Sequence, residues 1–354
     1  MILLPIGKLY GRVMDVRNAL YDRNILKSHG LGARTISVGN ITTGGTGKTP
    51  LVSLISEILI DAGETVCILT RGYGRANPND RVLVSDGRAI LAGAAEGGDE
   101  PAELAARLGG RAIIISDADR LSAGRWAKQK FGVTVFLLDD GFQHRRVRRD
   151  LDIVCIDATD PCGGGRALPA GRLRESFAGL KRADAIVLTR SDLVDDVSAI
   201  EERLRKQNQS VPVFRASTRV AGLVPLEQFH AKAQRTQRRG PEDDQVGKLV
   251  SGNHGAFCAI GNPDAFFRTV EQYFGDRSRL VLKIALRDHH PYNRSDVDNI
   301  ELRAKHAGAG ILITTAKDAV KLDADDFSLP LFVAIAETEI DDREEFGRFV
   351  NCSG

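Results

Sequence analysis

The stretch from Ser37 to Pro50 constrains this chain more than any other, because Gly44-Gly45-Thr46-Gly47-Lys48-Thr49 sits at its centre. An apolar run, Thr35-Ile36-Ser37-Val38, precedes it, and Leu51, Leu54, Ile55, Ile58 and Leu59 follow at the spacing of one buried helix face. Strand, glycine-rich loop, Lys-Thr and helix in that order is the layout of a phosphate-binding loop. The glycines let backbone N–H groups turn onto phosphate oxygens, and the helix N-terminus adds its dipole. Lys48 supplies a positive charge for the outer phosphates, and the Thr49 hydroxyl is a candidate ligand for Mg2+. Pro50 is tolerated there because first-turn N–H groups have no intrahelical partner.

The loop departs from the strict motif at Thr42, where a glycine is usual. Its Gly-Gly-Thr-Gly-Lys-Thr core resembles the loops of the MinD-like branch of P-loop proteins, yet Thr43 stands where that branch carries an extra lysine. A switch NTPase of the MinD-like or metal-chaperone kind, with no small-molecule acceptor, is therefore the alternative function at this point.

Downstream residues complete a nucleotide site. Val133–Leu138 reads as a strand running into Asp139-Asp140-Gly141-Phe142-Gln143-His144, and a strand ending in a carboxylate is the metal half of a Mg-nucleotide site. Two buried acids without a cation would be costly, so Asp139 and Asp140 are the metal candidates beside Thr49. Arg71-Gly72-Tyr73-Gly74-Arg75 follows the expected strand Thr65–Thr70, at the strand end where open α/β sheets place ligands. Asp99 and Glu100 precede a helix from Ala102, where a capping role is the default for at least one of them. The segment from Gly163 to Glu175 reads as a long mobile loop whose arginine could close onto a nucleotide. Thr189-Arg190-Ser191-Asp192 loosely resembles the base-reading loop of GTPases, and a helix cap is an equal reading for Asp192.

Strands and helices alternate from 35 to 215, which predicts a largely parallel sheet with helices on both faces. Residues 221–250 break the alternation; Ala231 to Asp244 is polar and reads as a linker or hairpin. A second, smaller α/β alternation follows, with strands at 256–261, 279–286, 310–315 and 331–335. The expected domains are an amphipathic helix at 1–26, a P-loop core at 27–220, a linker at 221–250 and a small α/β domain at 251–354.

The chain's 354 residues are enough for such a plan, and a formal net charge of +2 gives no global case for nucleic acid. Cys67, Cys155 and Cys258 lie in apolar runs and read as small buried hydrophobes, which fits a reducing compartment. Neither a secretory leader nor a run of about 18–20 apolar residues is visible. In residues 1–26, Ile6, Leu9, Val13, Val16 and Leu20 recur at helical spacing among Lys8, Arg12, Arg17 and Arg23. Such a helix either lies in a membrane interface or packs on the protein's own core. In the second half, Asp288-His289-His290 could share a proton near neutral pH, or be ordinary loop histidines. Thr314-Thr315-Ala316-Lys317-Asp318 reads as a polar site or a helix cap.

Taken together, these motifs resemble the tetraacyldisaccharide 4'-kinases. The resemblance is carried by the loop at 44–50, Arg71-Gly72-Tyr73-Gly74, Gly98-Asp99-Glu100-Pro101, Asp139-Asp140-Gly141-Phe142-Gln143-His144, Leu168-Pro169-Ala170-Gly171 with Arg174-Glu175, Gly261-Asn262-Pro263, Asp288-His289-His290 and Thr314-Thr315 with Lys317-Asp318-Ala319-Val320. Arg172 and Ser176 stand where that family often shows Pro, and Ala316 where Glu is common. The resemblance implies ATP-dependent phosphorylation of the 4'-hydroxyl of a lipid A disaccharide precursor, with Mg2+, by a two-domain enzyme with its site in the cleft. It implies a peripheral place on the cytoplasmic face of the bacterial inner membrane through the N-terminal helix, and no obligate protein partner. By motif, Gly44 to Thr49 hold nucleotide, Thr49, Asp139 and Asp140 serve the metal, and Asp99 is the base for the sugar hydroxyl. His289, favoured over His290, is its partner, and Arg174 stabilises charge. Arg71, Tyr73, Gln143, His144 and Glu175 complete the candidate site.

Overall fold

The computed structural model describes residues 3–234 and 252–352. Among them the strands are, in chain order, β1 (Arg34–Asn40), β2 (Val66–Thr70), β3 (Val82–Asp86), β4 (Ile113–Ser116), β5 (Val135–Asp139), β6 (Leu151–Asp157), β7 (Ala185–Thr189), β8 (Val213–Pro225), β9 (Asn253–Cys258), β10 (Arg279–Ala285), β11 (Ile311–Thr315) and β12 (Leu331–Ile340). The chain divides into two compact units. The first comprises residues 1–71, 117–217 and 338–354; the second comprises 72–116 and 218–337.

In the first unit the strands pair in parallel in the order β8-β7-β6-β1-β5-β2. β1, β2, β5, β6 and β7 are buried almost throughout, as continuous apolar strands of a parallel sheet require. β1 lies centrally, with β5 on one side and β6 on the other. This is the P-loop NTPase-like α/β plan expected from the alternation. The register sets Val38 level with Asp139, so the glycine-rich loop after β1 and the acids after β5 leave the same strand ends. The helix Lys48–Asp61 buries Leu51, Leu54, Ile55 and Leu59, the stripe read from the sequence. A second cluster joins Ile41 and Phe142 to Val154, Ile156, Ile186 and Leu188.

In the second unit β10-β9-β11-β12 form a parallel set, and β3 pairs antiparallel with β4. Helices Asp99–Arg107, Leu226–Gln234, Pro263–Phe274, Arg294–His306 and Ala316–Ala319 belong to this unit. Phe257, Ile300, Leu312 and Val333 centre one core, and Cys258, Phe267, Val270 and Ile313 another.

Two expected boundaries change. Residues 72–116 fall with the second unit rather than in a contiguous core at 27–220. Residues 221–225 extend β8 and 226–234 form a helix, so the linker reading fails there. Leu226 and Phe229 are buried, and the His230 Nε2 lies 2.9 Å from the Ala319 carbonyl oxygen, so this helix is docked. The rest of the expected linker, 235–250, lies outside the described residues.

The helix Leu3–Asp22 belongs to the first unit and presents two unlike faces. On one, Gly7 packs against Ala167 and Ala170, where an added Cβ would come within 2.8 Å of the Ala167 carbonyl oxygen. The same face carries Asn18, which donates to Glu175 at 3.0 Å, and Asp15, which accepts from the Ser176 hydroxyl at 2.9 Å. On the other, Leu3, Ile6, Leu9, Val13 and Val16 are exposed, Leu9 by 63 % and Val16 by 60 %. No described helix is long and apolar enough to cross a membrane.

Candidate active site

The phosphate cradle is built by the first unit. Gly47 caps the helix Lys48–Asp61 in the left-handed conformation, φ +76°, which only glycine adopts without strain. No side chain caps this N-terminus, and no acid sits in its first turn. Its orphan N–H groups and positive dipole end are thus left for an anion. Asn40 fixes the loop from beneath by donating to the Thr46 hydroxyl at 2.9 Å, and the Thr189 hydroxyl donates to the Thr46 carbonyl at 2.9 Å.

The segment 163–175 is tied to this loop rather than standing off it. Thr43 N–H donates to the Arg172 carbonyl at 2.7 Å, and Arg174 N–H to that of Ile41 at 2.8 Å. The Arg172 guanidinium donates to the Thr43 carbonyl at 2.9 and 3.0 Å and to Asp160 at 3.0 Å. The mobile-loop reading is thereby corrected. Thr42 also gains a reason: it bridges Leu173, and its buried side chain fills space where a Cβ on Gly163 would come within 2.8 Å.

Lys48, Asp140 and Arg174 form one charge cluster. Asp140 lies 3.5 Å from the Lys48 Nζ and 2.5 Å from the Arg174 guanidinium. Burial alone would raise its carboxyl, but the charges of Lys48, Arg174 and Arg120 outweigh burial and hold it far below the usual carboxylate range. Its Oδ1 accepts no hydrogen bond. Asp139 is buried at the end of β5. A buried anionic oxygen without a hydrogen bond, beside the P-loop lysine that Thr49 follows in sequence, fits Mg2+. That ion takes one or two carboxylates and fills its shell with phosphate oxygens and water.

The remaining candidates of this unit have other surroundings. Glu175 is fully buried and accepts from Asn18, Gln143 and Arg182, at 3.0, 2.7 and 2.7 Å, so it joins the N-terminal helix to the loop after β5. Gln143 also donates to the Asn40 carbonyl at 2.8 Å. Burial and the charges of Arg120, Arg149, Arg17 and Arg146 push His144 down to about 4, so its imidazole is neutral at pH 7. Arg71 is exposed. Arg190 pairs with Asp157, and burial raises the carboxyl of Asp192.

A second constellation lies in the other unit. Asp99 opens the helix Asp99–Arg107, and Gly98 rather than an acid takes the cap position. The Asp99 carboxylate, 6 % exposed, meets the His289 Nδ1 at 3.1 Å and the Lys321 Nζ at 3.4 Å. His290 instead pairs with Asp296 at 2.9 Å. Burial would raise the Asp99 carboxyl, but the His289 hydrogen bond and the Lys321 charge outweigh it and hold the group below its ordinary value. On its other side the His289 Nε2 lies 3.1 Å from the Lys317 Nζ, which also meets Asp288 at 3.0 Å. Burial alone would lower Lys317, but Glu100, Asp288 and Glu103 raise it, so it remains an ammonium. The Tyr73 ring stands 6.5 Å from that of His289. Arg75, by contrast, is buried and spent on Ser116 and the Pro78 carbonyl, so it is not an anion ligand.

Backbone strain marks both constellations. Asp140 and His289 adopt positive φ, +51° and +59°, without being glycine. Such conformations persist where the surroundings over-determine them, and they gather at functional sites.

The family model for tetraacyldisaccharide-1-P 4'-kinase matches residues 1–352. The chain belongs to that family. It is 38 % identical over 329 residues to a tetraacyldisaccharide 4'-kinase of Halothermothrix orenii, covering 92 % of this chain and 83 % of that one. To the Geobacter metallireducens protein of the same name it is 37 % identical over 321 residues, 91 % of this chain and 88 % of the relative. The crystal structure of the Aquifex aeolicus family member in complex with ATP superposes with a TM-score of 0.74 at 28 % identity, over 99 % and 97 % of the two chains. As a member of this kinase family the chain is a phosphotransferase with an alcohol group as acceptor. Thr43, where a MinD-like switch would carry its extra lysine, is here bonded to Arg172.

Sequence reasoning missed Lys321 and left Lys317 open between site and cap. Thr315 does cap the short helix, accepting from Asp318 N–H at 3.1 Å. Lys321 falls just past that helix, after its cap Val320, so no helix periodicity ties it to Lys317.

Proposed function

We propose that this chain transfers the γ-phosphate of ATP to the 4'-hydroxyl of tetraacyldisaccharide 1-phosphate, with Asp99 as the base and His289 as its partner. The observation that carries this reading is the His289–Asp99 contact at 3.1 Å in a chain that also holds a phosphate loop. A carboxylate at a helix N-terminus is stabilised as the anion and is a weak base. A histidine against it orients the carboxylate and steadies the proton it takes. The 4'-oxygen then forms its bond to the γ-phosphorus as the bond to the β-bridging oxygen breaks, and ADP leaves with that electron pair.

The P-loop amides and Lys48 hold the triphosphate, and Arg174 balances charge that builds on the γ-phosphoryl oxygens. Thr49, Asp139 and Asp140 would hold Mg2+. Bound there, the ion would supply positive charge against the triphosphate. Replacing the acceptor by its 4'-deoxy analogue tests the reading. ADP release should fall to the acceptor-free background; release at the full rate would contradict it.

The exposed stripe of the N-terminal helix supports a peripheral place on the cytoplasmic face of the inner membrane. Its apolar side chains would enter the acyl boundary, while Lys8 and Arg12, both exposed, meet anionic headgroups. Burying Leu9 and Val16 is worth roughly 1.5–3 kcal/mol each. The double variant Leu9→Glu, Val16→Glu should therefore lose about 10²-fold or more in cosedimentation with vesicles containing anionic phospholipid, at unchanged thermal stability. Equal vesicle binding by variant and parent would remove the membrane role.

A further inference from the structure

We infer that Lys321 is a positioning residue for the acceptor base: its ammonium keeps the buried Asp99 a carboxylate and leaves one defined oxygen to receive the acceptor's proton. The inference rests on the reading of Asp99 as base. Lys321 lies just beyond the helix Ala316–Ala319, with a side chain only 12 % exposed. Its Nζ stands 3.4 Å from Asp99 Oδ2, 3.5 Å from Asp318 Oδ1 and 3.2 Å from the His290 carbonyl oxygen, and 5.3 Å from the centre of the Tyr292 ring.

Asp318 is the seat of this ammonium. It is fully buried, and its Oδ2 accepts from Ala259 N–H at 3.1 Å and from the Thr315 hydroxyl at 2.7 Å. Its Oδ1 accepts no hydrogen bond and has Lys321 Nζ at 3.5 Å, while the buried Tyr292 hydroxyl also faces this carboxylate. A buried carboxylate so placed holds a cation strongly, because neither group can fall back on water. Lys321 is thus fixed from behind, and its free face is turned to Asp99.

On Asp99 both contacts fall on the same oxygen. His289 Nδ1 and Lys321 Nζ both meet Oδ2, so neither of these two partners occupies Oδ1. The proton from a hydroxyl would therefore go to Oδ1. The other charged groups around this pair are already matched: Glu103 with Arg107 at 2.8 Å, and Asp288 with Lys317 at 3.0 Å. Glu100 adds its field to Lys317, and Tyr73 faces His289. Without Lys321, only His289 would oppose burial, and the balance would move toward the protonated acid, which cannot act as a base.

The experiment is a pH profile of kcat/KM for wild type, Lys321→Met, Lys321→Arg and Asp99→Asn, on detergent-dispersed acceptor. The base must be ionised, so activity is lost as pH falls through the Asp99 pKa. Removing the ammonium raises that pKa, and the acidic limb of Lys321→Met should move up by about 1–3 pH units. Activity should return above the limb, and Lys321→Arg should restore the limb toward wild type. Lys321→Gln, which keeps a donor without the charge, carries the same prediction should the Met variant not fold. A uniform loss at every pH, with the limb unmoved, would overturn the inference. Full transfer by Asp99→Asn would instead remove the base reading itself. The 13C titration of the Asp99 carboxyl, compared between wild type and the Lys321 variant, reports the ionisation independently of catalysis.

Discussion

Asp99→Asn should lower kcat by about 10²–10⁴-fold, the usual worth of a positioned general base. ATP affinity should stay within about twofold, because the partners of the Asp99 carboxylate, His289 and Lys321, lie outside the phosphate loop. The change is nearly isosteric, and an amide oxygen still accepts from the His289 Nδ1 that stands 3.1 Å from Oδ2. What is lost is the negative charge and the ability to take a proton. Steady-state kinetics combined with nucleotide titration separates the two effects. Loss of ATP binding in parallel with transfer would show that the residue acts through the fold rather than on the acceptor.

The second large effect is expected at Asp140. Its carboxylate lies between Lys48 and Arg174, and its Oδ1 is the buried oxygen without a hydrogen bond. Asp140→Asn should reduce transfer by about 10²–10³-fold, as loss of one preorganised electrostatic partner does. The signature lies in binding. Removing an anion from beside the phosphate loop removes a repulsion, so metal-free ATP should bind as well as before or more tightly. The gain in ATP affinity on adding Mg2+ should disappear. Calorimetry with and without the ion gives both numbers. An equal loss of affinity in the two conditions would remove Asp140 from the metal site.

Much of this was readable in the chain because the chemistry leaves few alternatives. A phosphate loop needs glycine, lysine and threonine between a strand and a helix, and β1 and the helix at Lys48–Asp61 supply that frame. Asp139 stands out in the sequence because an acid ends an apolar run there, and it does end β5, buried. The choice of His289 over His290 came from motif alone; the structure sets His289 against Asp99 and gives His290 to Asp296.

The rest was hidden for definite reasons. Residues 72–116 continue the strand–helix alternation without a change in composition, so nothing in the sequence marks their allegiance to the second unit. The loop at 163–175 is rich in glycine and arginine and reads as mobile. Its backbone nonetheless pairs with Thr43 and Ile41, and no periodicity encodes such bonds. Glu175 appears in a motif beside Arg174, yet the two side chains part. Arg174 turns to Asp140, while Glu175 is buried with Asn18, Gln143 and Arg182. Adjacent residues in an irregular segment share no rule about which way each points. Lys321 was missed because its partners, Asp99 and Asp318, are assigned by tertiary packing.

The most direct test of the central claim follows the γ-phosphorus itself. The protein is incubated with γ-labelled ATP, Mg2+ and detergent-dispersed tetraacyldisaccharide 1-phosphate, and the lipid fraction is resolved by chromatography. The account predicts label in a lipid with one phosphate more than the acceptor, none of it with Asp99→Asn. Label found only as inorganic phosphate, at the same rate with and without acceptor, would contradict it.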